Sequence, residues 1–164
     1  MPGLISPDLM EETWTSVAEM SAEELQRLQA LCSDEQEELT GFAMTMLAEI
    51  GPDAGGVALY THIVLMEAFR RTKATFATVE REDITKAWDA NGEFVEVLQD
   101  AGYGRQPFQV DPEKQAEPAA LQYAFDALTE DDDDDPVDID DDDFWMALRV
   151  LKTIIDCMHD AQRT

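Results

Sequence analysis

Apolar residues recur along most of the chain at spacings of three and four, which is the period of a helix that buries one face. No stretch alternates between apolar and polar residues with a period of two, as a half-buried strand does. The pattern therefore predicts an all-α fold, a compact irregular bundle of six or seven helices without strands. We expect residues 1–164 to form a single acidic helical domain, because a chain of this length can bury one core.

Helix-capping residues predict where the first helices begin. Ser6 has the character of an N-cap and is followed by a proline, whose missing N–H costs nothing in the first turn of a helix. Ser21 and Glu24 have the spacing of a capping box. Ser33 and Gln36 repeat this spacing, which predicts either a kink near Ser33 or a new helix there.

Glycine and proline divide the middle of the chain. Residues 52–56, PDAGG, read as a turn between helices, followed by a helix over about 56–72. A further helix is expected over about 81–101, although Asn91 and Gly92 could break it in two. Gly102 should end that helix.

The segment from 130 to 143, EDDDDDPVDIDDDD, holds eleven carboxylates and no cation. A helix near 118–129 precedes it, and the most regular apolar stripe of the chain follows it, at Phe144, Leu148, Leu151, Ile155 and Met158. We therefore expect residues 130–143 to be an Asp-rich loop that connects two ordered helices. Residues 140–143 should lie at the partially positive N-terminus of the last helix.

The acidity extends well beyond that loop, because the chain has 37 Asp and Glu against 11 Lys and Arg, a formal net charge of −26. Such a field repels nucleic-acid phosphates and anionic lipid headgroups and attracts basic protein surfaces and cations. We expect no direct nucleic-acid binding. We also expect no membrane span, since Thr61, His62 and Glu67 interrupt the most apolar window, 57–69.

Cys32 and Cys157 each lie in an apolar helical pattern, where a reduced thiol behaves as a small hydrophobe. A disulfide framework is therefore not expected. The N-terminal residues lack a basic region followed by a long apolar one. These features predict a cytoplasmic protein.

Catalytic motifs are absent from the sequence: it contains no P-loop, dinucleotide-binding glycine fingerprint, GxSxG, HExxH or CxxC. No Ser has a histidine nearby in sequence to act as its base. His62 lies in an apolar helical pattern, which favours a packed residue. We therefore predict that the protein is not an enzyme and requires no cofactor.

The main functional hypothesis is non-catalytic binding of a basic protein surface, in the manner of a nucleic-acid mimic. The adjacent Phe144 and Trp145 cannot both point straight into the core from one helix, so Trp145 is expected at the surface among aspartates. The other two tryptophans, Trp14 and Trp88, are expected in the core. The candidate partner-binding residues are Asp131, Asp132, Asp133, Asp134, Asp135, Asp138, Asp140, Asp141, Asp142, Asp143 and Trp145.

A divalent-cation-binding module is the first alternative, with Ca²⁺ or Mg²⁺ as the ion. The calcium-binding loop that joins two helices can be aligned with Asp131 at its first position. This alignment assigns Asp131, Asp133, Asp135 and Asp142 as ligands. Pro136 then occupies the position where the template needs glycine, and the last ligand is Asp in place of Glu.

Three further interpretations remain open. A magnesium-dependent helical hydrolase would use carboxylates such as Glu35, Glu38, Glu67, Glu93, Glu96 and Asp100. The i, i+3 pair of Asp156 and His159 is similar to one arm of a dimetal helical bundle, although a solvated face explains it more simply. The acidity could also be an adaptation to high salt, which screens self-repulsion.

Overall fold

The structure is a computed structural model that describes residues 3–130 and 139–163. Within these ranges the chain forms seven helices and one short antiparallel strand pair, which confirms the all-α bundle. The helices are α1 Pro7–Ala18, α2 Ala22–Glu35, α3 Glu37–Leu47, α4 Pro52–Arg71, α5 Arg81–Asp100, α6 Pro118–Thr129 and α7 Asp141–Asp160. The strands are β1 Thr75–Phe76 and β2 Gln162–Arg163, which the sequence pattern did not predict.

Two of the predicted caps are present, and the third is wrong. Ser6 accepts a hydrogen bond from the backbone N–H of Leu9, and Ser21 accepts one from that of Glu24. Ser33 instead lies inside α2, and the break that begins α3 occurs at Gln36. The Gln36 side chain donates to the carbonyl of Ala77 and accepts from the N–H of Val79, so long-range contacts hold the chain where the helix breaks.

The helix α4 begins at Pro52, four residues before its predicted start. Gly55 and Gly56 belong to its first turns and do not form a turn between helices. A Cβ atom on Gly55 would lie 2.8 Å from the carbonyl oxygen of Leu47, so glycine permits the close approach of the end of α3.

The helix α5 is continuous through Asn91 and Gly92. The amide of Asn91 donates to Asp156 and accepts from Lys152, so this buried side chain bonds across to α7. A Cβ atom on Gly92 would lie 2.6 Å from a guanidinium nitrogen of Arg149. Both residues that indicated a break therefore serve the packing of α5 against α7.

The helices α4 and α7, each of twenty residues, lie side by side with the same polarity. At their N-termini the backbone N–H of Gly51 donates to Oδ2 of Asp143 over 3.1 Å. Beyond their C-termini β1 pairs with β2, with Thr75 opposite Arg163. The helix α7 also packs against α3, α5 and α6, and the predicted apolar stripe along it is buried throughout.

The most apolar window of the sequence forms part of α4, where residues 61–69 are all buried within the bundle. Polar residues occur inside this helix, including His62 and Glu67. Among the described residues no helix is both long and apolar enough to cross a membrane.

Candidate partner-binding surface

The predicted acidic site falls partly outside the described residues. Asp131, Asp132, Asp133, Asp134, Asp135 and Asp138 lie outside them, and so do three of the four residues of the calcium-loop register. The remaining aspartates, Asp140, Asp141, Asp142 and Asp143, lie at the start of α7 as predicted.

Three of these four carboxylates make structural hydrogen bonds. Asp140 is the N-cap of α7 and accepts from the N–H of Asp143 over 2.8 Å. Asp141 accepts from the N–H of Arg105 over 3.0 Å, which ties the loop between α5 and α6 to α7. Asp143 accepts from Gly51, as described above. The start of the acidic surface is therefore an organised part of the fold.

Helix dipoles give these aspartates a further role. Because α4 and α7 run in the same direction, their N-termini lie close together. Both N-termini carry a partial positive charge, so they repel each other. Asp143 lies at the first turn of α7 and bonds to the N-cap residue of α4, so its negative charge opposes both positive ends. Asp142 is exposed at the same turn.

The tryptophan positions differ from those expected. Trp145 is buried, with only 6% of its surface exposed, and its ring packs edge-on against Phe144 at 4.9 Å between centroids. Both adjacent rings are buried because neighbouring helices surround α7 on several sides. Trp14 was expected in the core, but it is 42% exposed. Trp145 is therefore not a surface residue, and Trp14 is.

Most of the cationic side chains in the described residues contact other parts of the chain. Arg70 bonds to Glu67 and Glu35, and Arg149 lies over the Trp88 ring at 3.8 Å from its centroid. Since 11 cations stand against 37 carboxylates in the chain, even complete pairing would leave most of the carboxylates without a cation. The other cations with such contacts are Arg27, Arg71, Arg81, Arg105, Lys114 and Lys152.

A groove with an aromatic lining opens between α1, α4 and α6, and we call it the aromatic groove. Its volume is about 750 Å³, within the range of ligand pockets. None of its described lining residues is a lysine or arginine. It is lined by Trp14, Ala18, Gly56, Val57, Tyr60, Thr61, Tyr123, Asp126, Ala127 and Glu130.

The aromatic groove has a negative electrostatic environment. Burial raises the pKa of Tyr123, and the nearby Tyr60 and Glu130 raise it further. Burial also raises the pKa of Tyr60. Both phenols are therefore neutral near pH 7, while the carboxylates of Asp126 and Glu130 are exposed at the edge. The groove thus combines neutral aromatic surface with acidic groups, which suits a cation.

A second groove, of about 590 Å³, lies between α3 and α5. Phe42 and Trp88 line it and pack edge-to-face, with centroids 5.6 Å apart. Unlike the aromatic groove, it contains a cation in its lining, Arg81, which lies 3.6 Å from a carboxylate oxygen of Glu38.

The two residues of the i, i+3 pair on α7 each contact another side chain of the protein. Asp156 accepts from Lys152 over 2.8 Å, whereas Nδ1 of His159 lies 2.6 Å from the buried carboxylate of Glu117. Glu67, one of the magnesium candidates, is paired with Arg70. In the ranges 3–130 and 139–163, no three His, Cys, Asp or Glu side chains are grouped so that they could hold a metal ion.

His62 is packed in the core, as its apolar helical pattern indicated. Burial lowers its pKa to about 4, and neither ring nitrogen has a hydrogen-bond partner within the described part of the chain. The imidazole is therefore neutral at pH 7.

Comparison with protein-family models, with curated proteins and with solved structures found no match to this chain.

Sequence reasoning missed the aromatic groove because its three aromatic residues come from three helices. Trp14 was expected inside, and Tyr60 lies within the apolar window 57–69. Tyr123 carried no signal of its own. The position of Glu130 as the first residue of the acidic loop was the sequence feature that pointed to this region.

Proposed function

We propose that this protein is a non-catalytic domain that binds a basic protein surface, with the acidic face as the recognition element. The observation that supports this function best is the excess of exposed carboxylates: most Asp and Glu among the described residues are exposed, whereas cations such as Arg70, Arg149 and Lys152 contact other residues of the chain. Uncompensated surface charge accelerates encounter with an oppositely charged partner and makes binding depend on salt. In this proposal the acidic face of the protein occupies the basic surface of the partner in place of a nucleic acid.

We also propose a cytoplasmic location. Cys32 and Cys157 are both buried free thiols, as expected for a reducing compartment. Burial raises the pKa of Cys32 to about 11 and that of Cys157 to about 12, so both thiols are protonated and unreactive near neutral pH.

The proposed function is tested by measuring the affinity for a synthetic arginine- and lysine-rich peptide at NaCl concentrations from about 50 mM to about 500 mM. We expect binding at low salt that weakens steadily as salt rises, because screening shortens the reach of the surface charges. A peptide with glutamate at each cationic position is the matched control. Absence of binding to the cationic peptide at low salt would reject the function and favour salt adaptation.

A melting series separates this function from divalent-ion binding. We expect NaCl, CaCl₂ and MgCl₂ at equal ionic strength to stabilise the fold equally, since screening alone is involved. Additional stabilisation by CaCl₂ that is lost when Asp131, Asp133 and Asp135 are replaced by Asn would instead support the calcium module.

A further inference from the structure

We propose that the aromatic groove is the specific anchoring site for an arginine side chain of the basic partner; this inference rests on the proposed function and assigns its point of contact. Trp14 offers a broad, exposed aromatic surface, and Asp126 and Glu130 place carboxylates at the edge of the same groove. A guanidinium can stack on an aromatic face and at the same time donate paired hydrogen bonds to carboxylates.

The protein contains an internal example of this pairing. The guanidinium of Arg149 lies over the indole of Trp88 at 3.8 Å, and its Nε and Nη2 atoms donate to the Trp88 carbonyl oxygen over 3.1 and 2.8 Å. Stacking therefore leaves the edge of the guanidinium able to donate hydrogen bonds. In the aromatic groove, Trp14 supplies the indole and the two carboxylates supply the acceptors, but the chain itself contributes no cation among the described lining residues.

Charge decides which occupant suits the groove. A second copy of this chain would bring another highly negative surface to an acidic edge, which is repulsive. An apolar segment would cover the carboxylates of Asp126 and Glu130 without bringing a cation to either, although Asp126 keeps a hydrogen bond from the Gln122 amide. A lysine ammonium would satisfy the charge, but it cannot stack or make a planar bidentate contact. An arginine guanidinium can use both the aromatic surface of Trp14 and the carboxylates at the edge of the groove.

Gly56 supplies a direct means of blocking this groove. It is exposed on α4 and lines the groove, and a Cβ atom there would meet no atom within 4 Å. A leucine at this position would extend into the groove without disturbing the helix. Gly41 provides the matched control, since it is also a helical glycine with no atom within 4 Å of an added Cβ, but it lines the groove between α3 and α5.

The experiment measures the affinities of two peptides, one with arginine and one with lysine at every cationic position, for the full chain at low salt. We expect the arginine peptide to bind the wild-type protein roughly tenfold more tightly. Gly56→Leu and Trp14→Ala should each abolish this preference, and Gly41→Leu should retain it. Asp126→Asn combined with Glu130→Gln should weaken the arginine peptide more than the lysine peptide.

Each failure has a separate meaning. If both peptides bind equally, or if Gly56→Leu retains the preference, the arginine site is overturned while acidic binding stands. If neither peptide binds at low salt, the proposed function fails as well. A preference lost in both leucine variants would place the anchor outside the aromatic groove and would also overturn the inference. Circular dichroism of each variant establishes that the loss does not come from unfolding.

Discussion

Glu117 and His159 join the start of α6 to the end of α7 through a contact of 2.6 Å between Oε2 and Nδ1. The same carboxylate accepts from the backbone N–H groups of Leu4 and Ile5, over 2.9 and 3.1 Å. One buried side chain therefore holds the N-terminal segment, α6 and α7 together. A carboxylate with this many partners is stabilising because each bond satisfies a group that burial would otherwise leave unpaired.

Glu117→Ala should lower the free energy of unfolding by about 3 kcal/mol, since it leaves two backbone donors and the imidazole without their acceptor. Urea denaturation measures the change. Glu113→Ala is the control, because Glu113 is exposed in the same loop, and its removal should change stability by no more than about 0.5 kcal/mol. Equal effects of the two substitutions would contradict the role assigned to Glu117.

The aspartates at the start of α7 should differ in their effect on stability. Asp143→Ala removes the acceptor of the Gly51 N–H, so we expect a loss of about 1 kcal/mol in thermal or urea unfolding. Asp142→Ala removes the same charge from an exposed position in the first turn of α7. The lost attraction to the helix N-terminus and the reduced self-repulsion oppose each other, so we expect a change within about 0.5 kcal/mol of zero. If both substitutions stabilise the protein, repulsion outweighs the hydrogen bond.

Two helical glycines should respond in opposite ways to alanine. Gly41→Ala places a methyl group in open space and should stabilise the protein by roughly 0.5–1 kcal/mol, because alanine favours the helix. Gly92→Ala gains the same propensity but displaces the Arg149 guanidinium from Trp88. We expect Gly92→Ala to be less stable than Gly41→Ala by at least about 1 kcal/mol in urea denaturation. Equal gains would show that Arg149 moves at no cost.

His62 should make the fold sensitive to acid. Its pKa is about 4 when folded, against an ordinary value of 6.5, so the unfolded chain binds the proton more tightly between these values. The stability that depends on neutral His62 is complete above about pH 6.5 and is lost as the pH falls toward 4.

His62→Leu isolates this effect, because titration of the carboxylates affects both proteins alike. From pH 7 to pH 5 we expect the free energy of unfolding of the variant to rise by about 2 kcal/mol relative to the wild type. Urea denaturation at the two pH values measures the relative change. If the difference in free energy of unfolding between the variant and the wild type is the same at both pH values, the folded protein binds the proton on His62 as readily as the unfolded chain does.

Capping residues, prolines and the apolar repeat correctly predicted those helices whose ends are determined by neighbouring residues in the sequence. Ser6 caps α1, and the bounds of α6 agree with its apolar pattern because Pro118 begins the helix. The stripe on α7 is buried as expected, since its apolar residues repeat without interruption.

The errors occurred where contacts from distant residues decide the outcome. Asn91 and Gly92 are poor helix residues alone, but their partners on α7 favour an unbroken helix. Trp14 and Tyr123 are far apart in sequence, and only the packing of α1 against α6 brings them to one groove. A periodic pattern shows which side of a helix is apolar but not which helices meet, so neither the groove nor the exposure of Trp14 could be read from it.

The central position of α7 has a consequence for biosynthesis. Because α3, α4, α5 and α6 all pack on this helix, the part of α4 that α7 covers stays exposed on the ribosome until residues 141–160 have been translated. The bundle is therefore incomplete until this helix has been made, and the nascent chain must avoid aggregation until then. The strong like charge along it acts in that interval as an intrinsic solubility factor, keeping neighbouring nascent chains apart.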